Sequence, residues 1–324
     1  MIDTELLVTG FIYGLTFLVG TIGNSLIVYS VVQFRHMKSL SNIFLASLAT
    51  ADLVLVICCV PVKFAQLFSY TWTFGKFLCK FVHYIQNLTA ICSVYTLTAI
   101  SIERYYAIIY PVECRYICTI SQTKRIIVVT WIGSIILAMP VLWIQILMEV
   151  GDKEHRGYWC IRDWSNELGW QIYELYMLAI ILIIPVIIMS YSYAHICRRL
   201  WLVMNNRQSE FPLSNAQPTI YIDASAKKMS QVIRMLIVVV VIFILCWAPI
   251  LFINVLTAFK VMPLLNYGNL KAVKTAFHLF SYANSCVNPI IYGFMSANFR
   301  ASFKTAFVKC FGCKKNASTY VSSS

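Results

Sequence analysis

Apolar residues gather into seven runs, at about 6–33, 41–68, 77–110, 123–147, 168–201, 230–258 and 267–294, divided by short segments that hold most of the charge. Each run reaches the about 20 residues that carry an α-helix across the hydrocarbon of a bilayer. A backbone in lipid must satisfy its own polar groups, and a helix does so within one segment. The pattern therefore predicts an all-α membrane protein, a seven-transmembrane helix bundle over residues 1–294. An odd number of crossings puts the termini on opposite faces. After the seventh run Phe299, Phe303 and Phe307 recur every four residues with Arg300 and Lys304 between them. That spacing predicts a short amphipathic eighth helix on the inner leaflet, within a tail of residues 295–324. Residues 205–226, with Pro212, Pro218 and several Ser, Asn and Gln, read as a polar loop.

Composition agrees with the pattern. The 324 residues are 60% hydrophobic and 12% charged, with a mean hydropathy of +0.73; a soluble domain has about a quarter of its residues charged. The net charge of +13 therefore has to be sorted by side of membrane. The segments after runs one, three and five carry Arg35, Lys38, Arg115, Lys124, Arg125, Arg198, Arg199, Arg207, Lys227 and Lys228, against Glu113, Glu210 and Asp223. By the positive-inside rule these segments and the tail are cytoplasmic and the amino terminus is outside, as in a multi-pass plasma-membrane protein. This distribution accounts for the basic excess without nucleic acid. The segment between runs four and five is mildly acidic, with Glu149, Asp152, Glu154, Asp163 and Glu167 against Lys153, Arg156 and Arg162. Asp3 and Glu5 stand where a signal peptide would be basic, so the first run reads as a retained span.

Within the runs, the residues that fit lipid poorly carry the chemistry. Run six contains Cys246-Trp247-Ala248-Pro249. Pro249 gives no N–H to the carbonyl four residues back and crowds it, so a kink is expected there. Trp247 and Phe243 then become the loaded end of a lever. Run seven ends Asn288-Pro289-Ile290-Ile291-Tyr292, where Asn288 can rebond the backbone groups that Pro289 frees and Tyr292 can exchange partners, Tyr193 of run five among them. Asp52 in run two has no basic neighbour in its own run. Asn24, Ser93, Asn284, Ser285 and Asn288 on other runs supply the oxygens that a small hard cation such as sodium takes; a protonated or water-bound Asp52 in a structural network is the alternative.

Run three begins near Cys79 and ends at Glu103-Arg104-Tyr105. Gln86 and Arg104 lie eighteen residues apart, about 27 Å along a helix, so one helix joins both faces. Arg104 either pairs with Glu103 and offers its fork of donors to a cytoplasmic partner, or merely anchors the helix at the interface. Cys79 and Cys160 both lie on the oxidising side, where a disulfide is stable, and no other outer cysteine competes. Most of the twelve cysteines, such as Cys58, Cys59, Cys92 and Cys286, read as small core residues. Cys310 and Cys313 are juxtamembrane, where palmitoylation and free thiols are the two readings.

Taken together, Asn24, the stretch Leu48 to Asp52, Glu103-Arg104-Tyr105, Trp131, Pro185, Cys246 to Pro249 and Asn288 to Tyr292 resemble, in order along the chain, the marks of a rhodopsin-like (class A) G-protein-coupled receptor. The resemblance implies an agonist site outside and nucleotide exchange on a heterotrimeric G protein inside, with arrestin and receptor kinases as further partners. Trp72-Thr73-Phe74-Gly75, Val232 to Leu236 and Ser281 to Pro289 are similar to the cholecystokinin and orexin receptor group, which implies a peptide ligand. Gln86, Asn254, His278 and Tyr282 fall where orexin-like receptors line their pocket, though each also has a reading as core packing. Gln86 stands where an amine receptor carries an aspartate. Glu174, with the outer acids, implies a basic or amidated peptide. Trp247 and Phe243 would repack against Val94 and Pro185, opening a cleft lined by Arg104, Tyr193 and Tyr292.

Two features depart from the family's pattern. Lys228-Met229 stands where rhodopsin has the acid that locks the arginine, which implies raised basal activity, and the short amino-terminal segment has no glycosylation sequon. The rival readings are a class A receptor for a lipid or other small molecule, and a secondary transporter, whose paired repeats the two halves of this chain do not show. No metal cluster or activated nucleophile suggests an enzyme.

Overall fold

Seven helical passes stand side by side in the computed structural model, which describes residues 4–69, 71–151, 156–209, 217–263 and 269–311. They are α1 (Thr4–Gln33), α2 (Leu40–Gln66), α3 (Gly75–Ile109), then α4 (Pro111–Ile117) as a short link to α5 (Ile120–Ala138) and α6 (Val141–Ile144). The fifth pass is α7 (Glu167–Leu178) joined to α8 (Ile184–Ser209) through a π-helical turn at Ala179–Ile183. The sixth is α9 (Gln217–Ala258), the seventh α10 (Asn269–Met295), and α11 (Ala297–Phe311) follows. Among the described residues six passes meet the length and apolarity of a membrane span. The seventh, α10, carries Lys271 and Lys274 near its start.

The starts of these helices are written locally. Ser39, Thr119 and Asn166 each accept a hydrogen bond from the backbone N–H three residues on, capping α2, α5 and α7. Apolar stripes then sort the passes by burial. In its most apolar stretch α3 is 72% buried, against 22% for α1 and 17% for α5–α6, so α3 is the central post and the other two are lipid-facing staves. Polar groups that would be costly in lipid tie the passes together. Asn24 donates to the Ser285 carbonyl (2.7 Å), Trp131 to Ser47 (3.0 Å) and Asn87 to the Tyr173 hydroxyl (2.6 Å).

Three sequence expectations need correction. First, the fourth span ends earlier than its apolar run, and a short hairpin accompanies the helical bundle. Residues 145–147, expected at the end of the fourth span, begin β1 (Gln145–Val150), which pairs antiparallel with β2 (Gly157–Arg162). This stretch is rich in Ile, Val, Tyr and Trp, which favour the pleated, half-covered surface of a hairpin over a helix. Second, most of the expected polar loop is helical, with α8 reaching Ser209 and α9 starting at Gln217. Pro218 is tolerated because it sits in the first turn of α9, where no N–H is needed. Third, α11 turns its first aromatics toward the bundle rather than the membrane: Phe299 is 1% exposed and stacks on Tyr292, and Phe303 packs on Phe299. A cystine also joins Cys114 to Cys118 around α4, a pair that sequence reading did not single out. The side chains of Phe307 and Cys310, and all of Cys313, lie outside the described residues.

Candidate functional site

The bundle has two distinct ends: the hairpin end, where β1 and β2 lie, and the tail end, where α11 leaves. At the hairpin end a cavity of about 800 Å³ sinks between the passes. A cystine from Cys79 at the start of α3 to Cys160 in β2 pins the hairpin beside it. Trp72 adds a second fastening, its backbone N–H donating to the Tyr158 carbonyl (2.6 Å) while its indole N–H binds the Gly75 carbonyl (2.8 Å). Gly75 takes a φ of +74° to offer that carbonyl, a conformation glycine adopts at little cost.

Gln86, Glu174, Asn254, His278 and Tyr282, read from the sequence as pocket residues, all line this one cavity. Tyr282, 1% exposed, donates to Gln86 Oε1 at 2.9 Å and binds α10 to α3. Trp247 lies in the wall of the same cavity, with Ile181 of the π turn and Met177 beside it.

The electrostatics differ from the expectation. Glu174 does not stand free for a basic ligand: its Oε1 accepts from Arg162 Nε at 2.9 Å and from the Trp170 indole at 3.2 Å, and its side chain is 2% exposed. Arg162 also donates to Gln145 Oε1 (2.5 Å) and lies 5.0 Å from the centre of the Tyr173 ring. Burial works against the charge of Arg162, but Tyr173 and the Glu174 carboxylate outweigh it and hold the guanidinium above its ordinary pKa. The other described acids at this end are engaged as well. Glu149 meets Arg156 (3.3 Å), Glu167 meets Lys260 (2.5 Å), and Asp163 takes the Ser165 N–H and hydroxyl. Among the described residues, each outer acid thus already has a partner; Asp152 and Glu154 lie outside them.

Among the described residues three cations line the cavity, Lys63, Arg162 and Lys274, against the single carboxylate of Glu174, and the two imidazoles are His83 and His278. Of these, sequence reading identified Glu174 and His278. Lys63 carried a usable signal, being an ionisable group inside the second apolar run, in the last turn of α2. Lys274 and Arg162 carried none, because their approach depends on the path of α10 and of the hairpin.

Below the cavity the core is continuous through Val94, Phe243 and Trp247. Phe243 and Trp247 stack with centroids 6.1 Å apart, and Pro185 is buried just after the π turn. The Trp247 indole N–H and the Tyr292 hydroxyl are both buried without a hydrogen-bond partner. Tyr292 is thus not bonded to Tyr193 in this arrangement; stacking on Phe299 has taken its ring instead.

Asp52, deep in α2, accepts from the Ser285 hydroxyl (2.7 Å) and the Asn288 amide (2.9 Å). Ser93 and Asn284 are buried as well. Two protein donors satisfy the carboxylate as it stands, and its remaining lone pairs suit a hard cation with Ser93 and Asn284 as oxygen donors. The residues present therefore fit either reading. At the tail end Arg104 holds Glu103 through two 2.6 Å contacts, and Ser41 donates to the same carboxylate at 3.1 Å. Tyr105 sits among Tyr110, Tyr191 and His195. Gln231 of α9 donates to the Met295 carbonyl at 2.8 Å and holds the tail end of the sixth pass to the seventh.

Comparison with known proteins agrees with this architecture. The profile of the 7 transmembrane receptor (rhodopsin family) matches residues 23–292. The chain is 32% identical to the G-protein coupled receptor 54 of Oreochromis niloticus, over 96% of this chain and 81% of that one. It is 32% identical to the QRFP-like peptide receptor of Branchiostoma floridae, over 92% and 77%. With the cholecystokinin receptor of Xenopus laevis it shares 30%, over 95% and 78%. Seven passes, a cystine-pinned hairpin beside a cavity, a buried tryptophan in its wall and an arginine at the far end of the central helix occur together in this chain. The chain belongs to the rhodopsin family of G-protein-coupled receptors.

Proposed function

We propose that the hairpin end faces the outside of the plasma membrane and takes the terminal residues of a peptide, which meet Gln86, Asn254, His278 and Tyr282. The single observation that carries this is the cavity itself, large enough for a few residues and walled by Trp247. The ligand biases two arrangements of one bundle. In the resting one, Trp247 and Tyr292 each keep a buried polar group unpaired, which costs about 1–3 kcal/mol apiece. In the active one Trp247 and Phe243 repack against Val94 and Pro185, the helix pivots at Pro249, and Asn288, Pro289 and Tyr292 rearrange until Tyr292 meets Tyr193. Arg104, released from Glu103, then offers its donors to a G protein with Tyr105 beside it. Moving such a switch from 1:99 to 99:1 takes roughly 5.5 kcal/mol of preference for the active state. A sodium ion at Asp52, Ser93, Asn284 and Asn288 would favour the resting state. Cys310 and Cys313 provide lipid anchors for the tail, and the opened cleft serves arrestin and receptor kinases in turn.

The test is a neuropeptide screen on cells expressing the chain, read by G-protein dissociation. An active peptide should lose its effect on Arg104→Ala at equal surface expression. If stimulated exchange survives that change, Arg104 does not have this role.

A further inference from the structure

Among the described residues, one cation of the cavity has no partner. Arg162 is paired with Glu174, and Lys274 Nζ donates to the Pro263 carbonyl at 3.3 Å. Among the described residues no hydrogen bond or ion pair takes Lys63 Nζ, although Lys63 lines the cavity from α2. In the same lining, on α3, stands Gln86, whose carbonyl oxygen is already taken by Tyr282, leaving its amide N–H₂ as the available group. His83 and His278 complete this part of the wall. This part of the lining thus presents donors and positive charge, and the one carboxylate among the described lining residues, Glu174, is already paired with Arg162. An ammonium in a low-dielectric cavity without a counter-ion is unfavourable, and a ligand that brings an anion removes that cost while gaining a charge-assisted bond.

We infer that the peptide carries an anionic group, a free carboxyl terminus or an acidic or sulfated side chain, and that Lys63 with the Gln86 amide binds it. This rests on the peptide-receptor reading and adds the sign of the ligand. It assigns Lys63 a specificity-determining role and reverses the charge that the outer acids alone suggest.

The probes are randomised N-acetyl octapeptide pools made twice, as C-terminal acids and as C-terminal amides, each with and without Asp, Glu and sulfotyrosine. They are applied to cells expressing the full chain, with G-protein dissociation read at matched surface expression. Activity is expected only in pools that contain an anion. Preference for the acid series identifies the terminal carboxylate, and preference for acidic amides identifies a side chain. Lys63→Gln should raise the half-maximal concentration of the active pool tenfold or more, and Lys63→Arg should restore it. Activation by amidated pools that lack acidic residues, unchanged by Lys63→Gln, overturns the inference and leaves the receptor reading standing. Silence of every pool overturns the peptide reading itself. The rival occupant is the chain's own Asp3 or Glu5. If the effect of Lys63→Gln disappears in an Asp3→Asn, Glu5→Gln background, that internal pair replaces the ligand and the proposal falls.

Discussion

Glu174 shows how far a residue's meaning depends on its partners. In the sequence it is an acid on an apolar helix and invites a ligand role. In the fold it is the centre of a buried network that joins β2 to α7, through Arg162, Trp170 and Gln145. Removing one partner of a buried pair leaves the other charge uncompensated, at a cost of about 3–5 kcal/mol. Glu174→Ala should therefore lower the thermal unfolding temperature of the purified receptor and its surface level, before any effect on potency is considered. Normal folding with only a potency change would return Glu174 to the ligand. Gln86, Asn254, His278 and Tyr282 were found from the sequence because their spacing resembles a known pocket. Lys63 was not, because nothing in the string says that the acids which could neutralise it are already bound elsewhere.

Helix periodicity located all seven passes to within a few residues, since an apolar run that crosses lipid has few other options. It failed where local chemistry competes. The hairpin at residues 145–162 follows β-forming residues and the Cys79–Cys160 bond, and the extended ends of α8 and α9 follow from helices that continue past the lipid. How closely two passes approach is likewise not written in either one alone. Gly23 of α1 faces Pro289 of α10 so tightly that an added Cβ would lie 2.6 Å from the proline Cβ and 2.8 Å from its Cγ. Small residues at such crossings let helices meet closely. A proline ring has no alternative rotamer, so Gly23→Ala should cost at least the about 1–3 kcal/mol of an overpacked core. Thermal unfolding in detergent measures this, and an unchanged midpoint would mean that α1 shifts freely.

For the whole molecule, the question is which parts move. The resting arrangement holds α9 to α10 through one exposed side-chain bond, from Gln231 to the Met295 carbonyl, worth about 0.5–1.5 kcal/mol. Glu103, which elsewhere in the family's pattern has help from an acid on the sixth helix, here holds Arg104 with Ser41 as its other described partner. Among the described residues these are the side-chain bonds at the tail end of the sixth and third passes; the side chain of Lys228 lies outside them. Spin labels at Ile108 of α3 and Met229 of α9 should report a longer separation when an active peptide and G protein are both present. A fixed separation would dismiss the pivot.

The contact between Gly23 and Pro289 has a mechanical consequence. Two staves jammed together without slack travel as a single body, so the first and seventh form one jamb that can shift only as a unit at Pro289 while the sixth is the door. Mutations that loosen the jamb should blur the closed and open positions alike rather than favour one of them.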